Sequence, residues 1–225
     1  MDKTLAAMAV VGLTNGGLDP ARAWLQSGNL KPLALSVFVG VAVLAYLLPE
    51  REVEQPDGVL VLHAPRQASI DSDPWQHKSY RFKPLATFTV RGRVLLLDRY
   101  RLGRESDVSP LDLTLGWGAM SSNAVLRQFT IYRGHRCYYW KPKTGEPPLT
   151  TNQVITHTAN IHIIPANDGL AGQLKALHPG SLVELGGMLV DVTGADGWMW
   201  RSSVTRTDTG PGACEVMWVE WVRTG

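Results

Sequence analysis

Two histidines lie five residues apart in the stretch Thr156-His157-Thr158-Ala159-Asn160-Ile161-His162. Histidines so spaced invite an acid/base or metal-binding reading. On a strand, however, positions five apart face opposite ways, and zinc would need a third ligand at suitable geometry. Hydrogen-bonded or solvent-facing structural histidines are therefore expected, and no metal site is assigned. A thiol nucleophile would have to be Cys214, in Gly212-Ala213-Cys214-Glu215, yet no positioned base is legible beside it. A strand residue or a disulfide partner fits it better. Arg206 and Asp208, in Thr205-Arg206-Thr207-Asp208-Thr209-Gly210, either close a loop as a weak solvated ion pair or contact a ligand.

The aromatic residues are more suggestive. Tyr139 and Trp140 close one β-type run, while Trp198 and Trp200 share a face of another and are followed by Arg201. The chain has 8 tryptophans, a residue that favours half-buried sites with one polar edge. They either pack the core or line a binding surface. The candidate ligand-binding set is thus Tyr139, Trp198, Trp200, Arg201, Arg206 and Asp208. With 22 Lys and Arg against 20 Asp and Glu, the chain lacks the basic face that duplex nucleic acid requires. No cofactor motif, metal-finger spacing or internal repeat is present, and no cofactor is expected.

What must position these residues is set by an apolar run near the start. Residues 33–48 carry no charge and are bracketed by Pro32 and Pro49. Sixteen helical residues rise about 24 Å, short of a ~30 Å hydrocarbon core. Leu30, with Lys31 and Glu50 reaching toward the headgroups, brings the run near the lower limit for a span. A buried core helix and a cleaved signal peptide, with Val43-Leu44-Ala45 as the cleavage site, are the alternatives. The expected organisation is a cytoplasmic head over 1–31 with short helices, a single-pass transmembrane helix over 32–49, a linker over 50–84 and a domain over 85–225. Lys3, Arg22 and Lys31 precede the run, whereas Glu50, Arg51, Glu52, Glu54 and Asp57 follow it, three basic residues against one. Positive residues stay in the cytoplasm, which places the domain in a bacterial periplasm, anchored in the inner membrane. Ser36 and Gly40 form a small-xxx-small face for a second copy of the helix. Outside the cytoplasm Cys137 and Cys214 are free to form a disulfide; two buried thiols are the alternative.

Beyond the linker, in which 58–63 reads as a strand-like insert, the pattern is mainly β. Residues 88–100 alternate as a long strand that Gly92 would bend. Ser109-Pro110-Leu111-Asp112 reads as the cap and first turn of a helix ending at Gly116. Residues 124–132 and 136–141 flank Arg133-Gly134-His135 as a hairpin. Strands are expected at 161–164, 181–192, 198–204 and 214–222, and a helix capped by Asn167 or Asp168 at 170–177.

A long bent strand, a hairpin, a helix and further strands resemble the wiring of the OB family, a small Greek-key β-barrel. The helix, Pro179-Gly180 and the strand Leu182-Val183-Glu184-Leu185-Gly186-Gly187-Met188-Leu189-Val190-Asp191-Val192 carry that resemblance. The blocks 109–118, 157–166 and 197–215 also resemble uncharacterised bacterial single-pass membrane proteins, which brings no activity with it. The OB resemblance implies ligand binding by the middle strands and adjoining loops. The expected function is a non-catalytic periplasmic module that binds a protein partner or a glycan within an envelope complex. The alternatives are a hydrolase using His157, His162 or Asp208, and an oligosaccharide- or nucleic-acid-binding OB domain.

Overall fold

The computed structural model describes residues 35–40, 51–210 and 212–225. The chain divides into two units, Met1–Pro49 and Glu50–Gly225. In the first, residues 35–40 are helical and exposed, and this turn contains both Ser36 and Gly40. The head and the remainder of the expected transmembrane helix lie outside the described residues. Among the described residues no helix is long and apolar enough to cross a membrane.

The second unit is mainly β-sheet with a few short helices. Its strands are β1 (Arg66–Ser69), β2 (Trp75–His77), β3 (Tyr80–Arg99), β4 (Leu111–Gly116), β5 (Phe129–Gly134), β6 (Cys137–Pro142), β7 (Thr158–Pro165), β8 (Leu182–Gly194), β9 (Met199–Trp200) and β10 (Glu215–Thr224). Its helices are α1 (Arg104–Val108), α2 (Asn123–Leu126), α3 (Thr151–Thr156) and α4 (Asp168–Lys175).

The long strand β3 pairs with β1 and β2 along its first part and is shared along its length between β8 and β4. Its first part, from Tyr80 to Arg93, runs antiparallel to β8, and its second, from Arg93 to Arg99, antiparallel to β4. Strand β4 pairs antiparallel with β7, β7 parallel with β10, and β10 antiparallel with β8. These five strands form a closed cycle of pairings. Gly92, where a bend was expected, stands at the handover from β8 to β4, and a Cβ there would lie 2.9 Å from Leu115 Cβ.

Alternation explains the core. Leu111, Leu113 and Leu115 of β4 meet Ile161 and Ile163 of β7, Leu185 and Leu189 of β8, and Phe88 and Val90 of β3. Leu170 and Leu174 of α4 join the same cluster, so the helix buries its apolar face against the sheet. Asn167 caps α4, its Oδ1 accepting from Leu170 N–H at 3.0 Å.

Several expectations need correction. Residues 111–116 are a strand, not a helix: Ser109-Pro110 imitates a cap, but period-two leucines and two flanking strands outweigh it. The short helix α1 precedes this stretch instead. Residues 58–63 are not a strand. They pack nonetheless, with Val61 buried and Gly118 N–H donating to Val61 O at 2.7 Å. The expected linker over 50–84 contains β1, β2 and the start of β3. Residues 124–132 begin as α2 and become strand only at Phe129, and 198–204 reduces to β9. The hairpin forms, but its turn is His135-Arg136, at φ 50° and 62°, and Arg133 and Gly134 of the expected connection belong to β5. Helix α3, opened by a Thr150/Gln153 capping box, went unrecognised.

Two glycines give a test with opposite signs. A Cβ on Gly187 would lie 2.0 Å from Trp218 O, a backbone atom of β10, whereas one on Gly172 in α4 would meet nothing within 4 Å. In urea unfolding Gly187→Ala should cost about 1–3 kcal/mol, and Gly172→Ala should gain about 0.5–1 kcal/mol.

Candidate functional site

Strands β4 and β7 each have two faces. The residues that alternate with their core leucines and isoleucines are Asp112 and Thr114 on one strand and Thr158, Asn160 and His162 on the other. All five are buried. They escape water because the β5–β6 hairpin, which pairs only with itself, lies across them and supplies their partners.

Asp112 is the centre of this polar floor, its side chain fully inaccessible. Its Oδ1 accepts from Arg136 Nη2 at 2.6 Å and from His162 Nδ1 at 2.9 Å, and its Oδ2 from Arg136 Nε at 3.1 Å. An ionised carboxylate only accepts, so the His162 contact places a proton on Nδ1. Arg133 Nη1 stands 3.5 Å from Oδ2. It also donates to Asn160 Oδ1 at 3.0 Å, while Nη2 donates to Thr114 Oγ1 at 3.0 Å. Arg133 further pairs with Asp98. Arg136 also donates to Ser109 O at 2.9 Å and lies between the rings of Tyr100 and Trp200.

Burial pushes the Asp112 carboxyl up, but hydrogen bonds and charge from His162 and Arg136 outweigh it and hold the group below the usual carboxylate range. Burial, aided by the Asp112 charge, pushes the Tyr100 phenol up to about 12.

Beside the floor is a cavity of about 560 Å³. Its lining includes Tyr138, Tyr139 and Trp140 of β6 and Arg206, Asp208 and Glu215. Tyr138 OH and Thr158 Oγ1 are 2.5 Å apart, fixing the β6 side to β7. Arg206 and the buried Glu215 form an ion pair. Arg206 Nε and Glu215 Oε2 are buried without a hydrogen-bond partner. Asp208 Oδ2 accepts from Ser203 Oγ at 2.6 Å.

The expected site residues fall into three groups. Tyr139, Arg206 and Asp208 share the cavity, together with Cys137 and Cys214. Trp198 and Trp200 stand together elsewhere, half-buried, with ring centroids 6.0 Å apart. Trp200 packs on His162, and Arg104, which forms a bidentate ion pair with Asp196, sits over Trp198. Arg201 is exposed. His157 and His162 do not converge: His157 caps the end of α3, its Nδ1 2.6 Å from Gln153 O, whereas His162 faces Asp112. The two cysteines are free thiols with Sγ atoms 3.6 Å apart. Burial, with Cys137 adding to it, pushes the Cys214 thiol up to about 12. Among the described residues no group of three or more His, Cys, Asp or Glu could hold a metal ion.

Sequence reasoning missed Asp112, Thr114, Arg133, Arg136, Asn160 and Glu215 as a set. The available signal was a lone acid in Leu111-Asp112-Leu113-Thr114-Leu115, a strand whose other face is wholly apolar. A charge in such a position needs a partner from another element.

The pH dependence follows from the sign of the Asp112 shift. A carboxyl held below its unfolded range adds stability that is complete above about pH 4 and lost as pH falls through the folded value. Asp112→Asn should cost about 3–5 kcal/mol at pH 7. Urea titrations should show this deficit shrinking below about pH 4; a constant deficit down to acid pH would contradict the assignment.

Comparison of the chain with family models, with curated proteins and with solved structures returned no match.

Proposed function

We propose that the chain is a membrane-anchored, extracytoplasmic binding module whose second unit is an OB-like Greek-key barrel. Three features support the barrel. The strands β3, β4, β7, β8 and β10, taken as first to fifth, pair in the cycle 1-2-3-5-4-1. The third and fifth run parallel. Helix α4 stands between the third and fourth. That is the wiring of an OB fold, whose ligands meet the second and third strands and the loops beside them. The anchor and the compartment rest on the apolar run 33–48 and on the charge asymmetry around it.

The observation that carries the binding reading is the cavity between β6 and the loop preceding β10. A buried acceptor and a buried donor left without partners each cost free energy, and here both belong to residues that line one concave site. A bound molecule that draws these side chains toward the cavity and offers both a donor and an acceptor removes that cost. Two carboxylates against one guanidinium in the wall disfavour a phosphate group. The aromatic rings of Tyr138, Tyr139 and Trp140 in the same lining favour a neutral, hydroxyl-rich ligand such as a sugar residue of an envelope glycan. A hydrolase has less support, because of His157, His162 and Asp208 only Asp208 lines the cavity.

Two measurements test this. Alkaline phosphatase fused to the C-terminus should be active in cells and a fluorescent protein fused there dark; the reverse pattern contradicts the compartment. Saturation-transfer NMR on the full chain in a sugar-free detergent should show neutral hexasaccharides binding, and Tyr139→Ala should weaken them about tenfold. Leu102→Ser, at a site 91% exposed, should leave binding unchanged. Transfer to a thymidine hexanucleotide but to no sugar would contradict the ligand class.

A further inference from the structure

The β5–β6 hairpin is fastened unevenly. At its base Phe129, Ile131 and Trp140 belong to an apolar cluster with Met120 and Val154. Toward its turn it has, among the described residues, no strand partner beyond itself. Arg133 and Arg136 anchor it there through polar contacts, and a two-stranded hairpin is marginal in water on its own. One further contact exists at the turn. Cys137, the first residue of β6, faces Cys214, the residue before β10, across 3.6 Å. Asn160, on the polar floor, donates to Cys214 Sγ at 3.3 Å and to Arg136 O at 2.9 Å, so it holds both chains of the junction in register. Both thiols line the cavity.

We propose that Cys137 and Cys214 are a disulfide-forming pair whose bond latches the free end of the hairpin to the start of β10 and so fixes a wall of the cavity. Closing the bond requires the sulfurs to approach by about 1.5 Å, to the ~2.05 Å of a disulfide. Closure proceeds by thiol–disulfide exchange with an external disulfide, such as that of a periplasmic-type oxidoreductase or of oxidised glutathione. One cysteine thiolate attacks a sulfur of the external disulfide and gives a mixed disulfide; the other then displaces the carrier as its thiolate. The two cysteines lose two electrons and two protons, and the external disulfide gains them as two thiols. The latch rests on the extracytoplasmic reading only for its oxidant in the cell. The pairing itself rests on the geometry.

The test separates the two. The full chain in detergent micelles is equilibrated in reduced and in oxidising glutathione buffers, alkylated and digested. A peptide cross-linked through Cys137 and Cys214 is expected in the oxidised sample and absent from Cys137→Ser. Amide exchange over residues 129–142 is expected to slow about tenfold on oxidation, with no change in the variant. Failure to cross-link, or hairpin exchange that ignores the redox state, overturns the proposal. Thiols trapped by alkylation before lysis add the cellular arm. A cross-linked pair supports both pairing and compartment. A pair that closes in glutathione but is reduced in cells upholds the latch and contradicts the extracytoplasmic reading.

Discussion

One carboxylate shut away from water sets the arrangement around it. Asp112 sits on the second strand of the paired cycle, and leaving its charge buried and unpaired would cost several kcal/mol. Three donated hydrogen bonds answer that cost, two from Arg136 and one from His162. Arg133 adds charge at 3.5 Å. Because both arginines belong to the hairpin region, the hairpin has to lie where it does. Its docking then brings Tyr138, Tyr139 and Trp140 into the lining of the cavity that Arg206 and Glu215 share.

The same two strands therefore do two jobs through their period of two. Leu111, Leu113, Ile161 and Ile163 face the core, and Asp112, Thr114, Asn160 and His162 face the hairpin. Apolar burial on one face holds the strands rigid, which lets the other face carry polar groups at fixed spacing. Arg93 plays a comparable part at a separate place. Its buried guanidinium donates to Asn123 Oδ1 at 2.5 Å and to Glu52 Oε1 at 3.3 Å. These contacts tie the start of the second unit to the sheet. Burial lowers the pKa of Arg93, and the Glu52 carboxylate opposes that shift.

What could be read from the sequence depended on whether the signal was local. Asn167 as a cap, the presence of a hairpin around Gly134 and the strand through Gly186-Gly187 are short-range features, and the structure contains each of them. The stretch 111–116 was misread because Ser109-Pro110 looks like a helix start, while its strand character depends on β3 and β7, which are distant in sequence. The polar floor was invisible for the same reason: Asp112, Arg136 and His162 gain meaning only when three segments meet. Residues 51–62 include Glu52, Glu54, Pro56, Asp57 and Gly58 and read as a spacer, yet backbone bonds such as Val53 N–H to Pro179 O at 2.8 Å dock this stretch. The aromatic candidates divided because Tyr139 and Trp198 belong to elements that fold to different places.

The dependence of the hairpin on Asp112 is measured most directly by a double-mutant cycle. Asp112→Asn, Arg136→Met and the pair are compared by equilibrium unfolding at neutral pH. A coupling energy of about 2 kcal/mol or more is predicted for groups in direct buried contact. A coupling below about 0.5 kcal/mol, the level at which distant sites simply add, would contradict the central place given to this carboxylate.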